Sequence, residues 1–278
     1  MKISYRLPGT LWLLVMMVCV PTKLEAAPES ETHRAVSIVR KISLHGRSLD
    51  LHLGHSLTTS ALAPLVIYAS GDGGWFGAAI DMYEGIVKAG YPTAGFSARS
   101  YLGLLSHTSD PISTKQLASD YEEIIRQSRT ALGVEPSLPV VLTGWSRGAA
   151  FSLLVASEPE VQQQVAGVIA IGLPSKEELN IRHRGKDIFV ANHQASPRHV
   201  IFETFDLISE ISPMKVSLIQ STHDDFLPAE AARALFGPDS SVHRFYAVEA
   251  RNHRFSGGTK AFRHSLVESL SWISHPAE

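Results

Sequence analysis

A serine, an acid and a histidine stand at three separate points of the sequence, where together they could perform nucleophilic catalysis. Ser146 lies in the run G-W-S-R-G, residues 144–148, directly after the apolar segment 139–143. A G-x-S-x-G run between a strand and a helix predicts a sharp turn that exposes the serine hydroxyl as a nucleophile. Two glycines suit such a turn because they keep side chains out of its crowded backbone. A lone match arises by chance, so the prediction depends on partners for Ser146.

The expected partners of Ser146 follow two later predicted strands. Asp224 lies in the pattern S-x-x-D-x-x-L-P, residues 221–228, which resembles the loop that carries the acid in many α/β-hydrolases. Asp225 beside it is the alternative acid. His253 lies in the run N-H-R-F, between the last predicted strand and the last predicted helix. The chain order is serine, acid, histidine, which is the order expected of the α/β-hydrolase fold. In such a triad the histidine accepts the serine proton, and the acid fixes the tautomer of the histidine.

Hydrolysis by a serine also needs backbone N–H groups that stabilise the oxyanion of the tetrahedral intermediate. One predicted donor is the amide of Arg147, directly after the nucleophile. The other comes from the glycine-rich run S-G-D-G-G-W, residues 70–75, where the backbone can approach a ligand closely. Asp72 and Gly73 are both candidates for this second oxyanion-hole donor.

The segments that must position these residues alternate between short apolar runs and amphipathic stretches. Continuous apolar runs, typical of strands buried on both faces, occupy residues 64–69, 139–143 and 165–171. An amphipathic segment at 113–132 predicts a long helix, and residues 36–53 predict an edge hairpin. Alternation of this kind predicts an α/β fold: a mostly parallel sheet with helices on both faces, as in the α/β-hydrolases.

The N-terminal residues have the pattern of a secretory signal peptide. Lys2 and Arg6 precede the apolar run Leu11–Val20, and the predicted cleavage site follows Ala26. The run is too short to span a bilayer, which takes about 20 apolar residues. We therefore predict export to the periplasm, with residues 1–26 removed.

Downstream of the signal peptide, the sequence predicts a flexible leader at 27–35 and one α/β-hydrolase domain at 36–278. Within that domain, residues 174–212 break the strand–helix alternation and predict a small cap or insertion above the sheet. The only cysteine, Cys19, lies in the signal peptide, so neither disulfides nor thiol chemistry are expected in the mature protein.

Composition and charge argue against two other classes of function. The 25 Lys and Arg residues, against 27 Asp and Glu residues, form no basic stripe, which argues against a nucleic-acid-binding protein. The 13 histidines show no ligand spacing such as H-E-x-x-H, so we predict no metal site and no cofactor.

Four runs of the sequence resemble the AcvB/VirJ family of exported bacterial virulence-associated α/β-hydrolases. They are S-G-D-G-G-W at 70–75, S-A-R-S-Y at 97–101, G-W-S-R-G-A at 144–149 and N-H-R-F at 252–255. The resemblance extends from about residue 64 to the C-terminus, and S-G-D-G-G-W is its most specific element. The residue after the nucleophile is usually aromatic in that family, whereas this chain has Arg147.

The resemblance implies periplasmic hydrolysis of aminoacylated phosphatidylglycerol, which releases the amino acid from the lipid headgroup. Trp75, Arg99 and Tyr101, which lie in the matching runs, are then the predicted substrate-binding residues, and Arg99 or Arg147 would contact the lipid phosphate. Peripheral contact with a membrane is expected, while the oligomeric state stays open. The alternative function is a non-catalytic virulence or secretion-assisting protein that binds a partner on a hydrolase scaffold.

Overall fold

Ten strands and eight helices alternate along residues 35–57, 59–105, 112–179 and 201–275, which are the residues that the computed structural model describes. The strands are β1 (Ala35–Leu44), β2 (Arg47–Ser56), β3 (Leu65–Ala69), β4 (Thr93–Phe96), β5 (Val140–Trp145), β6 (Val165–Ile171), β7 (Lys176–Glu178), β8 (Ile201–Glu203), β9 (Lys215–Ser221) and β10 (His243–Val248). The helices are α1 (Ala78–Lys88), α2 (Ala98–Leu105), α3 (Thr114–Leu132), α4 (Arg147–Ala156), α5 (Pro159–Gln162), α6 (Asp206–Glu210), α7 (Ala229–Phe236) and α8 (Thr259–Ser274). The predicted signal peptide lies outside the described residues, as does the predicted leader except for residue 35.

Eight of the strands form one sheet, in the order β1-β2-β4-β3-β5-β6-β9-β10. β1 and β2 form the predicted antiparallel hairpin at one edge, and β2 pairs antiparallel with β4. The strands from β4 to β10 in this order run parallel to their neighbours. The mostly parallel sheet predicted from the sequence is therefore confirmed. The carboxyl ends of its parallel strands lie at one end of the sheet, where ligands bind in open α/β folds.

The sheet has a core on each face because the side chains of its buried strands alternate between them. In β3, Leu65 and Ile67 belong to the core that includes α3 and α4, while Val66 and Tyr68 belong to the core that includes α1 and α8. All four side chains are fully buried, as the continuous apolar run predicts. Helices therefore cover both faces, and none of the described helices is long and apolar enough to cross a membrane.

A buried carboxylate joins helix α3 to the edge hairpin. Asp120 is 4% exposed and accepts hydrogen bonds from Tyr101 Oη at 2.7 Å and from Gln116 Nε2 at 3.2 Å. In the turn between β1 and β2, Nε2 of His45 lies 2.8 Å from both carboxylate oxygens of Asp120. Buried polar groups need such partners, so this cluster fixes the hairpin turn against α3.

The predicted cap or insertion is described only in part, since residues 180–200 lie outside the described ranges. On either side of them, β7 and β8 pair antiparallel as a separate two-stranded sheet. Helix α6 follows and buries Leu207 and Ile208 in the core that includes α4. The described part of region 174–212 is thus packed on the main domain.

Candidate active site

The turn between β5 and α4 holds Ser146 in a backbone conformation that side-chain-bearing residues rarely adopt. Its φ and ψ are 58° and −121°. A β-carbon on Gly148 would lie 2.0 Å from the carbonyl oxygen of Ala69, and one on Gly144 would lie 2.2 Å from the carbonyl oxygen of Gly148. Only glycine fits at these two positions. The packing around the turn therefore holds the serine in a strained conformation, which costs roughly 1–3 kcal/mol.

A short hydrogen bond joins the predicted base to the predicted acid. Nδ1 of His253 lies 2.7 Å from Oδ2 of Asp224, and the two residues are 7% and 3% exposed. The other carboxylate oxygen, Oδ1, accepts hydrogen bonds from the backbone amides of Phe226 at 2.9 Å and Leu227 at 3.3 Å. These donors fix the carboxylate, which in turn orients the imidazole. With Nδ1 as the donor, Nε2 is the unprotonated nitrogen of the neutral ring.

Nε2 of His253 is buried and has no hydrogen-bond partner among the described residues. The imidazole stacks on Trp145 with the ring centroids 5.3 Å apart, and Nε1 of Trp145 donates to the carbonyl oxygen of His253 at 3.2 Å. The ring therefore stands against the residue that precedes Ser146. The described residues include no hydrogen bond between the Ser146 hydroxyl and Nε2, a contact that often forms only when a substrate binds.

The alternative acid, Asp225, contacts the backbone of the histidine loop rather than the imidazole. Its Oδ2 accepts a hydrogen bond from the amide of His253 at 3.4 Å, and its side chain is exposed. Of the two neighbouring acids, the structure thus brings Asp224 to the ring.

The glycine-rich loop after β3 runs beside the serine. A β-carbon on Gly71 would lie 3.0 Å from Cβ of Ser146, so the backbone passes closer to the serine than most side chains would allow. The amide of Gly74 donates to the carbonyl oxygen of Gly71 at 3.0 Å and closes a turn over Asp72 and Gly73. Of the two candidate oxyanion donors, Asp72 carries the first amide beyond the point of contact with Ser146.

The side chain of Arg147 is buried between two carboxylates. Its Nη1 lies 2.7 Å from Oδ1 of Asp72, and its Nε donates to Oε1 of Glu177 at 2.8 Å. Burial raises the pKa of Glu177 to about 7, although the charge of Arg147 opposes that shift. With two carboxylates at short range and only 5% of its surface exposed, Arg147 does not project into solvent toward a lipid phosphate.

Two of the predicted substrate-binding residues pack their rings against other parts of the fold. Tyr101 is fully buried in the core, where its hydroxyl donates to Asp120. Trp75 stacks on His52 of β2, with the ring centroids 4.0 Å apart, and packs against Gly95 of β4. Full burial keeps Tyr101 from a substrate, which corrects that expectation, whereas substrate contact by the partly buried Trp75 stays a prediction.

Arg99, the third predicted substrate-binding residue, does lie near the glycine-rich loop. It is exposed in the first turn of α2, and its Cδ would be 3.8 Å from a β-carbon on Gly74. Its side chain is therefore the predicted cation that remains accessible beside this loop.

Three residues around the site were not singled out by sequence reasoning. Phe226 is 72% exposed and meets the His253 ring edge-on, at a centroid distance of 4.9 Å. Gly172, after β6, lies directly against the same ring. Glu177 lay in the predicted insertion, where its only signal was one charge in the run K-E-E. The described residues contain no group of His, Cys, Asp and Glu side chains arranged to hold a metal ion.

A comparison with protein-family models decides the family of the chain. The model described as bacterial virulence protein (VirJ) matches residues 63–236, which include Ser146 and Asp224. The chain belongs to the VirJ family. The predicted family resemblance is therefore confirmed over these residues, which include three of the four runs, while the run at 252–255 lies beyond the match. A comparison with curated protein sequences found no match.

Solved structures similar to this VirJ-family chain are α/β hydrolases. An alpha-beta serine hydrolase homologue from Coxiella burnetii matches with a TM-score of 0.56 and 16% identity, over 83% of this chain and 96% of that one. Est1E from Butyrivibrio proteoclasticus gives 0.56 and 14%, over 84% and 99%. A soluble variant of monoglyceride lipase from Saccharomyces cerevisiae gives 0.59 and 10%, over 90% and 100%. At such low identity these likenesses establish the α/β-hydrolase fold alone, as predicted from the sequence.

Proposed function

We propose that this chain is a serine hydrolase that cleaves carboxylic esters, with Ser146 as nucleophile, His253 as general base and Asp224 as the acid. The observation that carries the proposal is the 2.7 Å hydrogen bond between Asp224 and His253, in which the ring leaves Nε2 buried and without a described partner. Leaving a buried polar atom unpaired costs about 1–3 kcal/mol. Such a cost is expected where the atom must accept a proton during a reaction.

In the proposed reaction, Nε2 of His253 takes the proton of the Ser146 hydroxyl as Oγ bonds to the ester carbonyl carbon. The carbonyl oxygen becomes the oxyanion of a tetrahedral intermediate. When the intermediate collapses, the bond to the leaving alcohol breaks and the alcohol oxygen takes the proton from His253. Water then adds to the acyl-serine with the same proton transfers, which releases the carboxylic acid and restores Ser146. Asp224 stays ionised and stabilises the imidazolium.

The proposed oxyanion donors are the backbone amides of Arg147 and Asp72. Arg147 is the first residue of α4, where helix amides lack intrahelical acceptors. Asp72 follows Gly71, whose backbone approaches Ser146. Donors that are held in place before the reaction stabilise developing negative charge most effectively, because they need no reorganisation.

We propose an aminoacylated phosphatidylglycerol as the substrate and the periplasm as the compartment. The family membership, the predicted signal peptide and the position of Arg99 support this assignment. An exposed arginine can hold a phosphate through charge-assisted hydrogen bonds, each worth about 1.5–3 kcal/mol. Arg99 takes this role in the proposal because the guanidinium of Arg147 is already paired.

A covalent fluorophosphonate probe tests the hydrolase. The probe should label Ser146 in the native protein, and Ser146→Ala should abolish labelling. Ser271→Ala, a change at an exposed serine in α8, is the matched control and should label like the wild type. A folded wild-type protein that resists labelling would contradict the proposal and favour the non-catalytic, secretion-assisting alternative.

Vesicles that contain lysyl-phosphatidylglycerol test the substrate, with a short aryl ester as the comparison. Arg99→Ala should lower kcat/KM on the lipid about tenfold more than on the aryl ester. Arg126→Ala removes an exposed arginine from α3 and should leave the ratio of the two activities unchanged. Cleavage of the aryl ester without any cleavage of the lipid would leave a hydrolase but reject the proposed substrate.

A further inference from the structure

Three segments of the chain meet at one buried guanidinium. Arg147 belongs to the turn into α4, Asp72 to the glycine-rich loop after β3, and Glu177 to β7. We call these three side chains the ion-pair chain, since Arg147 contacts Asp72 at 2.7 Å and Glu177 at 2.8 Å. Arg147 is 5% exposed and Glu177 is 6% exposed, whereas the Asp72 side chain is 53% exposed. The ion-pair chain therefore runs from the protein interior to the rim of the site.

The same two residues carry the proposed oxyanion donors on their backbones. Asp72 offers its amide from a loop that has glycines at 71, 73 and 74, and such a backbone has many accessible conformations when unrestrained. The ion pair between the side chains of Asp72 and Arg147 joins this loop to the turn that carries the nucleophile. It therefore restricts the separation of the two amides.

Glu177 holds the guanidinium at a second nitrogen, Nε. A guanidinium has five N–H donors in a rigid plane, so a carboxylate on Nε fixes the direction in which Nη1 points. Oε1 of Glu177 also accepts a hydrogen bond from the backbone amide of Glu178 at 2.9 Å, which anchors the carboxylate to β7. Glu177 thus orients Arg147, and Arg147 orients Asp72.

We propose that the ion-pair chain of Asp72, Arg147 and Glu177 is a positioning device that holds the two oxyanion donors at the correct separation, with Glu177 as a positioning residue more than one contact away from the substrate. The inference rests on the proposed function, since an oxyanion site matters only to a hydrolase. Small displacements of catalytic groups have large effects on rate: an error of about 1 Å can cost roughly a hundredfold.

The test compares kcat and KM of Glu177→Gln, which removes the charge that holds the guanidinium, with those of the wild type on an aryl ester, at a pH above the pKa of Glu177 where its carboxyl is ionised. Because the oxyanion exists only in the transition state and intermediate, kcat should fall about 10- to 100-fold while KM changes less than about twofold. The rate of fluorophosphonate labelling should fall in parallel. Lys176→Gln is the matched control, because it breaks the exposed ion pair with Glu203 in the same two-stranded sheet. It should retain wild-type kcat.

Variants at the guanidinium separate a positioning role from a merely structural one. Arg147→Lys keeps the charge and should recover part of the kcat that Arg147→Met loses, while both retain the backbone amide. If Glu177→Gln fails to fold, Asp72→Asn provides the test, because it removes the charge of a half-exposed side chain from the pair without disturbing the core. Asp72→Asn should show the same loss of kcat at unchanged KM.

Kinetics of the folded variants distinguish the positioning role from the proposed hydrolase activity. Folded Glu177→Gln and Asp72→Asn variants with wild-type kcat would overturn the positioning role while leaving the hydrolase in place. A rise in KM at constant kcat would also overturn it, since that result indicates a contact made equally in the ground state. A wild-type protein that neither labels nor cleaves the ester would overturn the proposed function and the positioning role with it.

Discussion

Gly172 lies so close to the imidazole of His253 that a β-carbon at this position would stand 2.8 Å from Cε1 and 3.2 Å from Nδ1. The residue also has a φ of 57°, which disfavours side chains. The ring of His253, which contacts Asp224, therefore packs directly against the backbone of Gly172 just after β6.

Gly172→Ala should displace the His253 ring from Asp224 and lower kcat/KM at least tenfold. The added methyl group should also cost roughly 1–2 kcal/mol of unfolding free energy, because of the positive φ. Gly133→Ala is the matched control: its φ is also positive, at 66°, but nothing lies within 4 Å of the added carbon. Urea unfolding should record a loss of stability in both variants, and ester hydrolysis should fall only in Gly172→Ala. Equal activities in the two variants would contradict the prediction.

Asp224→Asn should lower kcat by about 10⁴, the magnitude known for loss of the acid in a serine triad, because the amide no longer fixes the tautomer of His253. Asp225→Asn keeps a carbonyl oxygen that can accept the 3.4 Å hydrogen bond from the His253 amide, so its kcat should fall less than tenfold. Steady-state kinetics on an aryl ester measure both effects. The opposite ranking would transfer the role of acid to Asp225.

The unfolding free energy of the wild type should fall, relative to that of Glu177→Gln, as the pH rises from about 5 to about 8. Burial raises the pKa of Glu177 in the folded protein to about 7, above its ordinary value of 4.5. Between those values the folded state binds more protons than the unfolded state, so rising pH favours unfolding. The groups facing the carboxyl are Arg147, whose charge lowers its pKa, Asp72, whose charge raises it, and the amide of Glu178.

Urea unfolding at several pH values measures this difference between the wild type and Glu177→Gln. Glu203→Gln, at an exposed carboxylate in the same two-stranded sheet, is the control and should follow the pH dependence of the wild type. If the unfolding free energy of the wild type instead rose relative to that of Glu177→Gln as the pH increased, ionised Glu177 would stabilise the fold on balance, contrary to the prediction.

Asp120→Asn should destabilise the protein by about 1–3 kcal/mol without changing the proposed ester turnover by the folded protein. The buried carboxylate accepts hydrogen bonds from Tyr101 and Gln116 and contacts His45, and an amide leaves at least one of these groups unpaired. Glu122→Gln, at an exposed position of the same helix, should stay within about 0.5 kcal/mol of the wild type. Chemical denaturation gives the stabilities, and a drop in kcat for folded Asp120→Asn would contradict the assignment of this cluster to stability alone.

The sequence predicts the strands best where both faces of the strand are buried, because such a strand is a continuous apolar run without interrupting polar residues. Residues 165–171 are predicted and observed as β6. The predicted helix at 113–132 is observed as Thr114–Leu132, with Ser113 capping its first turn and Gly133 ending it in a left-handed conformation. The turn that carries Ser146 is also predictable from the sequence, because its crowded backbone requires glycine at positions 144 and 148.

Side-chain directions could not be predicted in the same way. Tyr101 lies in a run that resembles the VirJ family, yet its ring is fully buried in the core, and the partly buried ring of Trp75 stacks on His52. Glu177 is 30 residues from Arg147, and their contact arises only when β7 packs beside the start of α4. Helix α2, at Ala98–Leu105, is another element that the sequence analysis does not predict. Contacts of this kind depend on packing between elements rather than on local sequence.

The order of the strands along the chain also determines when the candidate active site can form. Ser146 follows β5 and Asp224 follows β9, but His253 follows β10, which occupies the outer position of the sheet beside β9. During synthesis, residues near the N-terminus are available to fold first. A growing chain would therefore carry Ser146 and Asp224 before it carries His253. The proposed ester cleavage should accordingly begin only once β10 has docked beside β9.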